Sequence, residues 1–182
     1  MRQGTGMMKR WLVLMIGFLL LGSGLLGAQV IKDGYGKMTL PDGSVYEGQF
    51  KDGAFEGQGA LTYPDGDKYT GSFREGKFSG QGQMDYADQR QYVGQFKYGL
   101  YDGRGTLLYA DGSKYEGHFK EGLLSGYGAI SYSDGSQYQG QFKNGDPAGR
   151  GVLTDLDGVQ HKGKIKDGAL VNPSPEDSSS NK

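Results

Sequence analysis

Two histidines, His118 and His161, are the only imidazoles in a chain without cysteine. Metal or nucleophile chemistry would have to be assembled around them. Their spacing argues against it. They fall in different positions of a recurring 23-residue pattern, so they are not a repeated ligand set. A His pair with no further His or Cys close by is a poor zinc site. Gly-x-Gly pairs, from Gly57 and Gly59 to Gly149 and Gly151, offer bare backbone that could cradle a phosphate. They precede strand-like sequence, however, and neither a Gly-Lys-Ser/Thr run nor a βαβ context follows. Asp-Gly steps at Asp65, Asp111, Asp134 and Asp157 bring carboxylates that suit Ca2+ in Gly-rich β-rolls. The period and the Gly pattern differ from those rolls, and Asp-Gly is what a tight turn asks for. No Ser/His/Asp set can be put together. Carboxylates are plentiful, and spacing alone does not dismiss a glycosidase-like pair. Yet a catalytic centre needs unlike residues placed once, whereas this chain places the same residues many times. The expectation is a protein that is not an enzyme, with no catalytic, cofactor-binding or metal-binding residues. An envelope hydrolase is the least favoured alternative.

The frame that repeats is Tyr46 to Lys68, YEGQFKDGAFEGQGALTYPDGDK. Further copies open at Tyr69, Tyr92, Tyr115 and Tyr138, and five complete copies fill residues 46–160 without a gap. Self-similarity at a fixed period decides the architecture before any local assignment does. Tyr46, Gly48 and Phe50 alternate with Glu47, Gln49 and Lys51, which is a strand with one apolar and one wet face. Gly between two aromatics leaves a gap into which a ring or backbone can close. Gly53 and its equivalents end charged turns, where φ > 0 is needed. A second strand follows each Gly-x-Gly, with Leu61 and Tyr63 on one face. Asp-Gly then closes the unit as a hairpin signal. Each unit thus reads as two strands of about five residues and two turns. Stacked edge to edge, the units form an all-β fold: a single-layer, twisted, antiparallel sheet of β-hairpins. Half-units at 34–45 and 161–170 cap the array. Asp155 stands where earlier units have Tyr, and Pro147 stands where they have Phe, Tyr or Leu. The turn Asp88-Gln89-Arg90 lacks Gly.

Residues 1–28 differ from the rest. Arg2, Lys9 and Arg10 precede the apolar run Trp11–Leu21, and small residues lead to Ala28. That order reads as a signal peptide or a signal anchor formed by an apolar helix. Either places the repeats across a membrane, in a periplasmic, secreted or membrane-anchored position. Outside this segment 17 basic residues face 21 acidic ones, a net of −4, which argues against a nucleic-acid partner. Gly is in large excess, 35 of 182 residues, against a usual share of about 7%. Its fixed columns and the 13 Tyr and 8 Phe between them exclude a disordered chain. The chain divides into residues 1–28, a repeat domain over 29–170, and a polar Pro/Ser tail at 171–182 that reads as disordered.

YEGQFKDGAFEGQGALTYPDG closely resembles the MORN repeat (membrane occupation and recognition nexus). The signature is Tyr-x-Gly, an aromatic two residues on, then Gly-x-Gly before a strand. The resemblance extends over residues 34–170. It implies a ribbon of stacked β-hairpins with a shallow groove lined by aromatics and Gly. It further implies a scaffold or binding module, whose ligands are protein segments along the groove or acidic phospholipids. Some members join the repeats to a kinase or methyltransferase domain, for which this chain has no room.

A single layer cannot bury both faces, so a row of half-exposed rings is the expected binding surface. Its residues are Tyr46, Phe50, Tyr69, Phe73, Tyr92, Phe96, Tyr115, Phe119, Tyr138 and Phe142. The expected partner is a protein segment in the groove, or a second copy joined through an end strand. Binding of membrane lipid or of the envelope surface is the alternative.

Overall fold

The computed structural model describes residues 31–166 and 169–171. The expected apolar helix of residues 1–28 and the tail from Asn172 lie outside the described residues. Thirteen strands form one open antiparallel sheet in which spatial order equals chain order. They are β1 (Gly34–Thr39), β2 (Val45–Lys51), β3 (Ala54–Thr62), β4 (Lys68–Arg74), β5 (Lys77–Asp85), β6 (Gln91–Lys97) and β7 (Leu100–Leu108). The array continues with β8 (Lys114–Lys120), β9 (Leu123–Ser131), β10 (Gln137–Lys143), β11 (Asp146–Thr154), β12 (Gln160–Lys166) and β13 (Ala169–Val171). No helix occurs among the described residues. Within each complete unit the strands have 7 and 9 residues, longer than the expected five. The strands run on through the Gly-x-Gly pairs, which a side-chain pattern does not register as strand.

The two turns of a unit use different chemistry. In Asp52-Gly53 both residues have positive φ, 50° and 79°. This is the two-residue type I′ turn, whose twist matches that of the strands it joins. Glu75, Tyr98, Glu121 and Asn144 repeat the geometry of Asp52. At Asp65-Gly66 only Gly is left-handed. The Asp65 carboxylate there accepts the Asp67 N–H at 3.2 Å. The turn without Gly survives because Gln89 takes φ 71° itself. Arg90 then holds the Asp88 carboxylate at 2.8 Å and lies 4.3 Å over the Tyr86 ring.

One face of the sheet carries the core. Gly48 and Gly59 are cross-strand partners, and the Tyr46 ring lies along the backbone over both. A Cβ on Gly48 would come within 2.5 Å of the Tyr46 hydroxyl and of the Gly59 Cα. The ring of Phe55 stacks on Tyr46 at 3.7 Å, and Phe50 meets it edge-on at 5.1 Å. Phe73 of the following unit closes the other side at 5.0 Å. Tyr69 with Phe78 and Phe96 repeats the arrangement, as does Tyr92 with Tyr101 and Phe119. Offset and edge-to-face ring pairs of this kind add about 0.5–1.5 kcal/mol beyond their burial. The lattice thins toward the C-terminus. Leu124 replaces the stacked ring over Tyr115, and Pro147 faces Phe142 in the last complete unit.

The expectation of half-exposed rings does not hold. Tyr46, Tyr69, Tyr92 and Tyr115 are 0% exposed, and Tyr138, Phe50, Phe73, Phe96, Phe119 and Phe142 are buried with them. A single layer achieves this because each tyrosine lies flat on glycine backbone instead of standing off the sheet. The neighbouring rings then roof it.

Two outcomes follow from this packing. Gly94→Ala would place a methyl 2.5 Å from the Gly105 Cα and 2.6 Å from the Tyr92 hydroxyl. It should cost about 1–3 kcal/mol in urea unfolding, whereas Thr106→Ala on the opposite face should cost under about 0.5 kcal/mol. Equal effects would contradict the ring-on-glycine core. Burial also pushes the hydroxyls of Tyr46 and Tyr115 up to about 12, while the unfolded chain ionises near its usual value of about 10. The folded state therefore holds protons that the unfolded state releases. Stability should be complete below about pH 10 and fall as pH rises toward 12. Phenolate absorbance and far-UV circular dichroism should change together on alkaline titration. Ionisation of the buried tyrosines without unfolding would be the contrary result.

Candidate functional site

The opposite face carries the residues between the aromatics. Over β5 to β12 it forms a groove of about 1180 Å3. Its shape starts from a register break. Gly48 pairs with Gly59, but Gln49 pairs with Glu56, so Gly57 and Gln58 have no partner on β2. Gly57 takes φ 62° there. Such a bulge bends the strand and increases its twist. The break recurs in every complete unit, at Gly71, Gly94, Gly117 and Gly140. A bend repeated in register along the sheet becomes a channel across the strands.

Side chains from the fourth position of the unit fill the break. The Gln49 Oε1 accepts the Gln58 N–H at 3.0 Å, and the Gln95 Oε1 accepts the Arg104 N–H at 3.0 Å. Gln141 accepts from the Arg150 N–H at 3.3 Å. His118 holds the same position with a ring: Nδ1 lies 3.3 Å from the Tyr127 carbonyl oxygen. With Nδ1 as the donor, Nε2 is free to accept from the Arg104 Nε at 3.3 Å. Gln141 also donates through Nε2 to the Tyr127 hydroxyl at 3.0 Å. One wall of the groove is thus tied together by hydrogen bonds from the Arg104 side chain through His118, Tyr127 and Gln141 to the Arg150 backbone.

The other wall is smaller and less polar. Val93, Thr106, Glu116, Ala129, Gln139 and Val152 succeed one another along it. Between the walls the floor is backbone, at Gly94, Gly105, Gly117, Gly128, Gly140 and Gly151. Lys162 and Lys164 close the C-terminal end. Glu116 is bound by Lys114 at 2.9 Å.

The ten aromatic residues of the expected surface lie on the reverse of this groove. They are brought together, but as the core that supports its floor. The two histidines are not brought together: they sit on β8 and β12. His161 binds Asp155 at 2.8 Å, and that hydrogen bond holds the Asp155 carboxyl below its ordinary range. Among the described residues no group of three or more His, Asp or Glu gathers as a metal site.

The groove walls are what sequence reasoning passed over as merely wet. A signal was present: Gln49, Gln95 and Gln141 recur in one column, as do Arg104 and Arg150 in another. Gln95→Leu tests the first of these. It removes the acceptor for the Arg104 N–H and should cost about 0.5–1.5 kcal/mol. Amide exchange at Arg104 should accelerate while Tyr92 stays protected. Unchanged exchange would show that Gln95 does not hold the bulge.

Comparison with known proteins agrees with the repeat. The MORN repeat model matches residues 31–45, 46–68, 69–89, 92–114, 115–137 and 138–160. A search of curated protein sequences finds no match. Among solved structures, one similar chain is the SAS-4 (dCPAP) TCP domain of Drosophila melanogaster in complex with a proline-rich motif of Ana2 (dSTIL). It is 14% identical, with 81% of this chain and 99% of that chain covered and a TM-score of 0.35. Another is a catalytically inactive virginiamycin B lyase from Staphylococcus aureus with quinupristin. That chain is 12% identical, with 79% and 59% covered and a TM-score of 0.22.

Proposed function

This chain belongs to the MORN-repeat family, and we propose that it is a non-catalytic scaffold whose polar groove receives an extended segment of a protein partner. The groove is the observation that carries this reading. The reverse face is closed by its own rings, so the accessible concave surface is the one built from Gly backbone and variable side chains. From β5 to β12 there are seven strand spacings of about 4.8 Å, a length of about 34 Å or about ten residues of extended chain. The segment would cross the strands. Inner strands have a neighbour on both sides and lack pairing only at the bulges, so recognition falls to side chains rather than to strand addition.

The end strands support a companion reading. Among the described residues β1 and β13 each pair on one side only, which leaves an edge for a second copy. Lipid binding has less support. A bilayer surface does not enter a groove, and the net −4 outside residues 1–28 opposes electrostatic attraction to anionic lipid. Export remains part of the proposal on the charged, apolar and small-residue order of residues 1–28.

A photo-crosslinking residue at Ala129, on the groove wall, tests the reading in the full chain expressed in its own cells. Adducts should form there and contain one contiguous partner segment. A crosslinker at Asn144, in an exposed turn, should give none. Ala129→Arg should block capture without lowering the melting temperature. Capture from Asn144 alone would overturn the proposal. Flotation of the protein with anionic vesicles would favour lipid.

A further inference from the structure

Resting on the groove-binding reading, we infer that the C-terminal part of the groove selects an acidic extended peptide with carboxylates about six residues apart. The basis is a charge distribution opposite to that of the molecule. Outside residues 1–28 the chain is net −4, yet the groove lining holds Arg104, Arg150, Lys162 and Lys164 against the single carboxylate of Glu116. Glu116 is itself engaged by Lys114. Among the described residues none of the four cations has an ion-pair partner; surface cations such as Lys51, Lys97 and Lys120 share that state, and what sets the four apart is that they line one concavity. Four unpaired cations on the walls of one concavity call for anions from outside.

Their placement gives the anion a shape. Arg104 and Arg150 occupy the same column two units apart, on β7 and β11. Four strand spacings of about 4.8 Å separate them by about 19 Å. An extended peptide covers that distance in about six residues. Arg104 is anchored through Nε on His118 at 3.3 Å. Its two terminal nitrogens carry no hydrogen bond among the described residues, and a guanidinium in that state takes a carboxylate through two parallel bonds. Lys164 pairs in register with Arg150 on the adjacent strand, so the second carboxylate meets two cations. The charge is confined to this end. The column of Arg104 and Arg150 begins with Gln58 and Gln81, and Gln58 is bound to Ser72 at 2.7 Å. The peptide is therefore oriented, with its acidic part over β7–β12 and a neutral part over β5 and β6.

A single-stranded nucleic acid is the competing anion. It relies on a run of aromatic platforms along the backbone track. The groove lining has two rings, not a run: Tyr127, whose hydroxyl is held by Gln141, and His118, fixed through both ring nitrogens. The observations favour the peptide.

Fluorescence anisotropy with the full chain tests the assignment. The probes are labelled Ser/Gly peptides about twelve residues long, enough to span the groove at about 3.3 Å per residue. One carries two Glu six residues apart, one two adjacent Glu, one two Lys, and one neither; an oligothymidylate of similar length completes the set. The spaced-Glu probe should bind most tightly, with an affinity that falls as salt is added. Arg104→Gln and Arg150→Gln should each weaken it about tenfold, as expected for loss of one charge-assisted pair. Lys97→Gln, at the end of β6 and outside the groove lining, should leave it unchanged. Melting curves of all variants establish that they fold. Equal binding of the spaced-Glu and Lys probes, or full affinity in Arg104→Gln and Arg150→Gln, would overturn the inference. So would oligothymidylate binding as tight as the acidic peptide. The two readings fail differently. If acid selectivity alone is wrong, a neutral or basic probe binds and Ala129→Arg displaces it. If groove binding is wrong, no probe binds and crosslinking at Ala129 yields no adduct, which overturns both.

Discussion

A tyrosine ring laid flat on two paired glycines is the contact on which the rest of this structure depends. A sheet one layer thick has no second layer to cover its apolar face. Tyr46, Tyr69, Tyr92 and Tyr115 solve that problem locally, because bare Cα atoms on adjacent strands let each ring approach the backbone. The hydroxyl is satisfied at the same time: Tyr46 donates to the Gln49 carbonyl at 2.7 Å and Tyr92 to that of Gln95 at 2.8 Å. Each ring also meets a phenylalanine of the next unit at about 5 Å. The same contact therefore folds a unit and joins it to its neighbour. That is the physical content of nearest-neighbour stability in a repeat array, and it explains why the lattice weakens where Leu124 and Pro147 replace rings.

Closing one face has a consequence for the other. The Tyr and Phe of the first strand, the paired glycines and the bulge are the same in each complete unit, so they leave little freedom for specificity. The residues that alternate with them are free to differ, and they do. Gln58, Gln81, Arg104, Tyr127 and Arg150 occupy one column with different side chains. Val93, Glu116 and Gln139 occupy another. The invariant columns build a curved support, and the variable ones write a pattern on it. The charge of the groove, opposite to that of the whole chain, is written only in the variable columns.

Much of this was legible in advance. The step of 23 residues, the hairpin in each unit, the turn role of Gly53 and Asp65-Gly66, and the decay of the array at Pro147 and Asp155 are all read from residue types in columns. The departures have identifiable causes. The strands exceed the expected five residues because Gly-x-Gly carries no alternation, yet its backbone is paired in register with the following strand, Gly57, Gln58 and Gly59 with Phe73, Ser72 and Gly71. The turn at Asp88-Gln89-Arg90 needed no Gly because Gln89 accepts the left-handed conformation and Arg90 bridges the turn. Spacing places the aromatic rows on one face but does not reveal whether a ring stands off a sheet or lies down on it, which is why the expected half-exposed rings are buried.

The sequence by itself determined the architecture: which residues face the same way, where the chain turns, and that units stack edge to edge. These follow from the period-two geometry of strands and from turn chemistry, both of which are local. Which face stays open was decided only by tertiary structure. An alternating strand is compatible with either face being covered. The choice depends on rings reaching over glycines of the adjacent strand, on Phe55 and Phe73 roofing Tyr46 from different units, and on a bulge that bends all hairpins together. None of these is a property of one strand. They arise when strands are paired in register, and that pairing turns a row of apparent binding residues into a core and a row of apparent surface residues into a groove.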